Sequence, residues 1–124
     1  MLNYLIVSIG AAIGGAARYW LSNAVYKFFP ATFPYGTLVV NITGSFLLGL
    51  IIFIFDEREL INNQLKIFLT IGFCGGFTTF STFSFETFNL LKESQYYLAA
   101  VNIVLSLILC IAGVFLAYIV SKII

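Results

Sequence analysis

Four long apolar segments, separated by short polar stretches, run the length of the chain. We place them at about Leu2–Tyr26, Tyr35–Phe55, Ile67–Leu91 and Tyr96–Val120. Each is as long as the ~20 residues that a helix needs to cross the hydrocarbon core of a bilayer. The pattern therefore predicts an all-α integral membrane protein with four transmembrane helices, which form a single domain over residues 1–124.

The composition agrees with this prediction and argues against several classes of function. Hydrophobic residues make up 61% of the chain and charged residues 9%, whereas soluble domains carry ~25% charge. The net charge is +1 and there is no basic patch, so we expect no nucleic-acid partner. With no histidine and no nucleophile–base or acid pair at a useful spacing, we expect no enzyme. A multi-pass protein of the cell membrane, in contact with lipid, is the expectation that remains.

The third apolar segment is interrupted by glycine and hydroxyl residues. The run Gly72–Glu86 reads GFCGGFTTFSTFSFE and contains three glycines, followed by the β-branched Thr78 and Thr79. These residues weaken helical propensity, and unwound backbone at membrane depth is tolerated only inside protein or beside a wet cavity. We therefore predict a helix that is broken mid-membrane, between Gly75 and Thr79, and such breaks often carry ion sites.

Aromatic and hydroxyl side chains alternate after the predicted break. Phe80 and Phe83 are three residues apart, so they share a helical face, and the positive edges of their rings can face an anion. Neutral hydroxyl donors surround the same turns, namely those of Thr79, Ser81, Thr82 and Ser84. Weak binding at several sites of this kind permits conduction. The alternative is that these residues only pack helices together, since small and hydroxyl residues are common at membrane helix interfaces.

Three further polar side chains fall inside the apolar segments. Arg18 either extends toward a nearby interface, past Tyr19 and Trp20, or stands at the mouth of a wet vestibule that attracts anions. Asn41 needs a partner, which is either an interhelical hydrogen bond or the water of a pore. Glu86 is compatible with a proton carrier, a residue at the pore mouth, or a partner for Arg18.

The fourth segment carries one stripe of small and polar residues. Its members are Asn102, Ser106, Cys110, Gly113 and Ala117, at spacings of four, four, three and four. We interpret the stripe as a packing seam rather than a pore wall, although one surface can serve as both.

The basic residues hardly distinguish the two sides of the membrane. Arg58, Lys66 and Lys122 are predicted on one side, against Lys27 and Lys92 on the other, or three residues there if Arg18 is counted. Because orientation depends on a lysine–arginine bias between the sides, the chain is predicted to insert both ways and to pair as a dual-topology, antiparallel homodimer. Backbone carbonyls of two facing breaks would then suit a small hard cation.

Three sequence motifs follow one another along the chain. They are G-x3-G-G-x2-R-Y from Gly10, P-Y-G-T-L-x-V-N-x2-G-S-F from Pro34, and G-F-x-G-G-x-T-T-F-S-T-F from Gly72. In this order and at this chain length, they resemble the motifs of the CrcB/Fluc fluoride channel family. The third motif is the most specific of the three.

This resemblance implies a fluoride-selective channel that exports fluoride passively from the cytoplasm and so reduces its toxicity, as a dual-topology homodimer with two antiparallel pores. It implies a fluoride pathway formed by Asn41, Thr79, Phe80, Ser81, Thr82, Phe83, Glu86 and Ser106. It also implies a central structural sodium ion (Na+), held by the backbone carbonyls of Gly75 and Thr78. Arg18 would lie in the vestibule, and Cys110 stands where a hydroxyl residue is expected.

Two other functions explain part of the pattern. A small four-helix proton-coupled multidrug exporter would be expected to carry an acidic residue in its first helix, and the first segment has none. A non-transporting membrane subunit would explain the spacing of Gly10 and Gly14, but it would not explain a hydroxyl-rich, broken helix.

Overall fold

The computed structural model describes residues 1–124 and is entirely helical. The α-helices are α1 (Leu2–Tyr26), α2 (Tyr35–Leu50), α3 (Asn63–Ile67), α4 (Gly75–Phe77), α5 (Phe80–Lys92) and α6 (Tyr96–Ile123). Two π-helical segments add to them: Ile51–Asp56 continues α2, and Phe68–Cys74 joins α3 to α4.

These elements combine into four stretches that are long and apolar enough to cross a membrane. The first to fourth spans are Leu2–Val25, Tyr35–Asp56, Asn63–Lys92 and Tyr96–Ile123. The prediction of four transmembrane helices is therefore confirmed. The third span begins four residues before the predicted Ile67, because the Asn62 side chain caps the helix by accepting a hydrogen bond from the Leu65 N–H at 2.8 Å.

The break in the third span lies at two threonines in the middle of the span. Thr78 (φ −91°, ψ 162°) and Thr79 (φ −154°, ψ 118°) are extended, which suits β-branched residues. Gly75 and Gly76 form the helical turn before them. The predicted broken helix is thus confirmed, and the extended backbone occupies only the last two residues of the predicted range.

The first and third spans lie against each other with their backbones nearly in contact. A Cβ atom on Gly10 would lie 2.6 Å from the Phe68 carbonyl oxygen, and one on Gly14 would collide with the Phe73 carbonyl oxygen. Any larger residue at these positions would force the two helices apart. The small-residue surface of the first segment therefore does what the sequence predicts, since it lets another helix approach closely.

The second span packs against the fourth along the predicted stripe. Asn102, Ser106, Gly113 and Ala117 are buried, and Cys110 is half-buried. A Cβ atom on Gly49 would lie 2.6 Å from the Cβ of Ala117, so this seam is tight as well. The interpretation of the stripe as a packing seam is confirmed.

Much of the apolar surface has no cover within one chain. Only 22 of the 124 residues are buried, and the exposed side chains include large apolar ones on all four spans. This exposure is what a protein surrounded by lipid or by a second chain requires.

Candidate functional site

A cavity of about 350 Å³ opens beside the break in the third span. Its wall includes five of the eight predicted pathway residues and both residues predicted to hold sodium: Asn41, Thr79, Phe80, Phe83, Ser106, Gly75 and Thr78. Both cysteines, Cys74 and Cys110, also line it. The second, third and fourth spans therefore bring residues from distant parts of the sequence to one place.

Asn41 fixes the backbone at the break. Its Oδ1 accepts a hydrogen bond from the Thr79 N–H at 2.8 Å, and its Nδ2 donates to the Thr79 carbonyl at 3.0 Å. In a continuous helix, neighbouring turns of the same helix would satisfy these two groups of Thr79. The amide of Asn41 takes over that task, so its interhelical hydrogen bond is confirmed, and the residue lines the cavity at the same time.

The same arrangement leaves backbone carbonyls without their usual partners. The Thr79 N–H, which would bond the Gly75 carbonyl in a continuous helix, is engaged by Asn41. The Thr78 carbonyl accepts no backbone hydrogen bond. Gly75 is exposed, and a Cβ atom there would meet nothing closer than 3.9 Å. Carbonyl oxygens are ligands that small hard cations prefer, so the residues present fit part of a sodium site.

Three hydroxyl groups cluster where α5 begins. The Thr79 Oγ1 caps the helix by accepting from the Thr82 N–H at 3.1 Å, and it lies 3.2 Å from the Ser81 hydroxyl and 3.1 Å from that of Thr82. A helix N-terminus carries a partial positive charge. Neutral donors and this positive helix end together favour an anion at this point.

Phe80 and Phe83 lie side by side on α5, as their spacing predicts. Their ring centroids are 5.5 Å apart and the rings are tilted by 45°. Both rings line the cavity, yet Phe80 is 74% exposed within one chain. A large ring that lines the cavity and is open on its outer side is incompletely surrounded by this chain alone.

A second cavity, of about 330 Å³, carries the predicted vestibule residue Arg18. The remaining wall is mostly polar and comes from Gly15, Tyr19, Ser22, Thr37, Val40, Thr79 and Thr82. The Nε of Arg18 is buried and has no hydrogen-bond partner. Thr79 lines both cavities, so the capped end of α5 forms part of the wall of each.

Glu86 stands apart from both cavities. Its Oε1 is buried without a hydrogen-bond partner, and its carboxyl lies next to the Thr37 side chain, which lines the second cavity. The only salt bridge in the structure joins Lys66 to Asp56 at 3.0 Å. A pairing of Glu86 with Arg18, one of the three readings left open by the sequence, is therefore not formed.

The structure also brings in polar residues to which the sequence analysis assigned no function. Ser22 and Thr37 line the second cavity, and Thr87 is buried and bonded to Asn102. Ser22 lies one helical turn after Arg18, which is a signal that could have identified it. Ser81 and Glu86 line neither cavity, so their predicted roles in the pathway remain predictions.

Comparison with known proteins gives matches over nearly the whole chain. Residues 5–118 match the family described as CrcB-like protein, Camphor Resistance (CrcB). The fluoride-specific ion channel FluC of Coxiella burnetii (strain CbuK_Q154) is 48% identical over 122 residues, which cover 98% of each chain. The protein of the same name from Magnetococcus marinus is 45% identical over 118 residues, which cover 95% of this chain and 96% of the relative. The one from Geobacter metallireducens is 46% identical over 122 residues, which cover 98% of each chain.

Proposed function

The chain belongs to the CrcB-like family, and from that premise we propose that it is a fluoride-specific channel through which fluoride leaves the cytoplasm passively. Such a channel reduces fluoride toxicity. The observation that carries the proposal is that Thr79 lines both cavities, so that a vestibule with an unpartnered arginine adjoins a cavity with aromatic rings and hydroxyl groups.

Fluoride is small and strongly hydrated, so the protein has to replace water with close donors along the way. The charge of Arg18 raises the anion concentration in the second cavity. The hydroxyl groups of Thr82 and Thr79, at the positive end of α5, then replace part of the hydration shell. The ring edges of Phe80 and Phe83 continue the path, together with the Ser106 hydroxyl. No lysine or arginine lines the first cavity, beside the break, which we call the aromatic cavity, so the ion is not trapped there.

We further infer that the working unit is an antiparallel homodimer with two pores. One chain leaves Phe80 74% exposed and Gly75 open, and a second copy would cover both and close the aromatic cavity. The nearly equal numbers of basic residues on the two sides support insertion in both orientations. Two-fold symmetry is the commonest arrangement of homo-oligomers.

The two-fold axis gives the freed carbonyls a function. Two copies would supply the Gly75 and Thr78 carbonyls twice, and sodium binds oxygen ligands of this kind. The ion would offset the carbonyl dipoles where two breaks meet and would hold the chains together, so its part is structural.

The experiment that tests the proposal is fluoride efflux from liposomes that contain only this purified chain, with chloride efflux as the control. We expect fast, passive fluoride loss without chloride loss. The variants Phe80→Ile and Phe83→Ile should each slow fluoride loss and leave the dimer intact, because they keep apolar bulk and remove the ring edges.

Two results would contradict the proposal. A folded chain that releases no fluoride would refute the channel, and unchanged fluoride loss in both isoleucine variants would refute the aromatic part of the path. Proton-dependent dye efflux that is abolished by Glu86→Gln would instead support the multidrug exporter.

A further inference from the structure

Asn102 is one of the two most completely buried large side chains in the protein. It lies on α6, is 2% exposed, and contributes its amide to a chain of hydrogen bonds. The Ser106 hydroxyl lies 3.4 Å from its Oδ1, and its Nδ2 donates to the Thr87 hydroxyl at 2.9 Å. Thr87 in turn donates to the Phe83 carbonyl at 2.8 Å. The network therefore runs from α6 directly into the turn of α5 that carries Phe83.

Beyond the capped end of α5, this network bonds α5 to α6, while the Glu86 carboxyl lies next to the Thr37 side chain of α2. α5 buries little else, since Thr87 and Leu90 are its only buried residues. Packing alone therefore constrains α5 weakly. The buried amide of Asn102 constrains it strongly, because its Nδ2 must keep the Thr87 hydroxyl of α5 as its acceptor.

Two asparagines thus hold the aromatic turn of α5 from its two ends. Asn41 fixes Thr79, one residue before Phe80, and Asn102 fixes Thr87, four residues after Phe83. The rings lie between the two anchors with their centroids 5.5 Å apart. A hydrogen-bonded tether at each end limits both the rotation and the tilt of the short helix, and so limits where the ring edges point.

We propose that Asn102 is a positioning residue for ion passage: through Thr87 it holds the turn that carries Phe83, so that the ring edge faces the cavity. The long contact with Ser106 adds to this, because a hydroxyl hydrogen held at 3.4 Å is free to turn toward an anion in the cavity that Ser106 lines. This role depends on the proposed pathway through Phe83. It differs from a purely structural role, because it predicts a loss of conductance that persists when stability is restored.

The test is the unitary fluoride conductance of single channels in planar bilayers, which does not depend on how many channels fold. The variants are Asn102→Leu, which keeps the size and loses the amide, and Thr87→Val, which keeps the shape and loses the hydroxyl. Each should lower the unitary conductance about tenfold, the rate equivalent of one buried hydrogen bond. Thr87→Ser keeps the hydroxyl and should conduct normally. Ser8→Ala removes an exposed hydroxyl bonded only within its own helix and serves as the neutral control.

The double variant Asn102→Leu/Thr87→Val separates positioning from stability. Replacing both partners by apolar groups of similar shape leaves neither the Asn102 nor the Thr87 position with an orphaned polar atom, and the Ser106 hydroxyl can bond the backbone carbonyl one turn before it in α6. The melting temperature should therefore return close to that of the original protein. The unitary conductance should stay about tenfold low, since the tether is still absent. Conductance that recovers together with stability would overturn the proposal, as would normal conductance in both single variants. Absence of fluoride current in the unaltered chain would overturn the proposed function itself, which is a different result.

Discussion

Replacing Asn41 should destabilise the break in the third span more than a typical polar substitution in a membrane protein. The Asn41 amide satisfies both backbone groups of Thr79, with bonds of 2.8 and 3.0 Å. An interhelical hydrogen bond in a membrane protein contributes about 0.6 kcal/mol on average. That average is small because polar groups that lose one partner usually form a hydrogen bond with another. A buried backbone group that is left without any partner costs about 1–3 kcal/mol. Two groups are orphaned in Asn41→Leu, and because both bonds are only part-buried we expect a total loss of about 1–3 kcal/mol in the free energy of unfolding.

Asn41→Asp provides a matched comparison. An ionised carboxylate keeps an acceptor for the Thr79 N–H and loses the donor to the Thr79 carbonyl, whereas the O–H of a neutral carboxyl can replace that donor. At a low pH, where the carboxyl is neutral, Asn41→Asp should therefore keep most of the stability that Asn41→Leu loses. Unfolding in mixed detergent micelles, followed by circular dichroism, measures these differences. Asn41→Leu as stable as the unaltered chain would refute the reasoning, because it would mean that water or the backbone satisfies Thr79 without the amide.

Two further predictions concern glycines. Gly14→Ala should lower the free energy of unfolding by about 1–3 kcal/mol, because the added methyl group meets the Phe73 carbonyl. Gly15 has open space around it, so Gly15→Ala should be neutral by the same unfolding measurement. Equal effects of the two substitutions would contradict the close contact between the first and third spans. Gly75→Val should leave the folded chain intact and weaken the proposed homodimer in light-scattering measurements. Replacement of sodium by N-methylglucamine should weaken the proposed homodimer of the unaltered chain but have no effect on that of the variant. A Gly75→Val dimer that still responds to sodium would remove these carbonyls from the site.

The sequence predicts the spans because hydropathy reports a property of single residues in lipid. Polar residues at the ends of a span follow another rule, which is why the start at Asn63 was missed: a capping side chain extends a helix into polar sequence. The broken third helix was predicted from intrinsic propensity alone. The extent of the break was not, because glycines such as Gly76 serve a contact with another helix: a Cβ atom there would lie 2.5 Å from the Ala11 carbonyl oxygen.

The sequence predicts those parts of the candidate site whose residues lie within one or two helical turns of each other. Phe80 and Phe83 share a face because one helical turn relates them. The bond between Asn102 and Thr87 joins residues fifteen positions apart, and no periodicity within one helix contains it. Asn102 would have the same spacing in its stripe whether it only packed against another helix or also anchored α5. Only the contact between α5 and α6 distinguishes these two roles.

The glycine seam between the first and third spans has a consequence for large-scale variant surveys of this chain. Gly10 and Gly14 lie where any side chain meets a carbonyl of the neighbouring helix, so nearly every substitution there should abolish growth on fluoride. A survey that scores only growth would rank these glycines beside the residues of the proposed fluoride pathway. A parallel score for the amount of assembled protein in the membrane would separate the two groups, because only the seam variants should lose both.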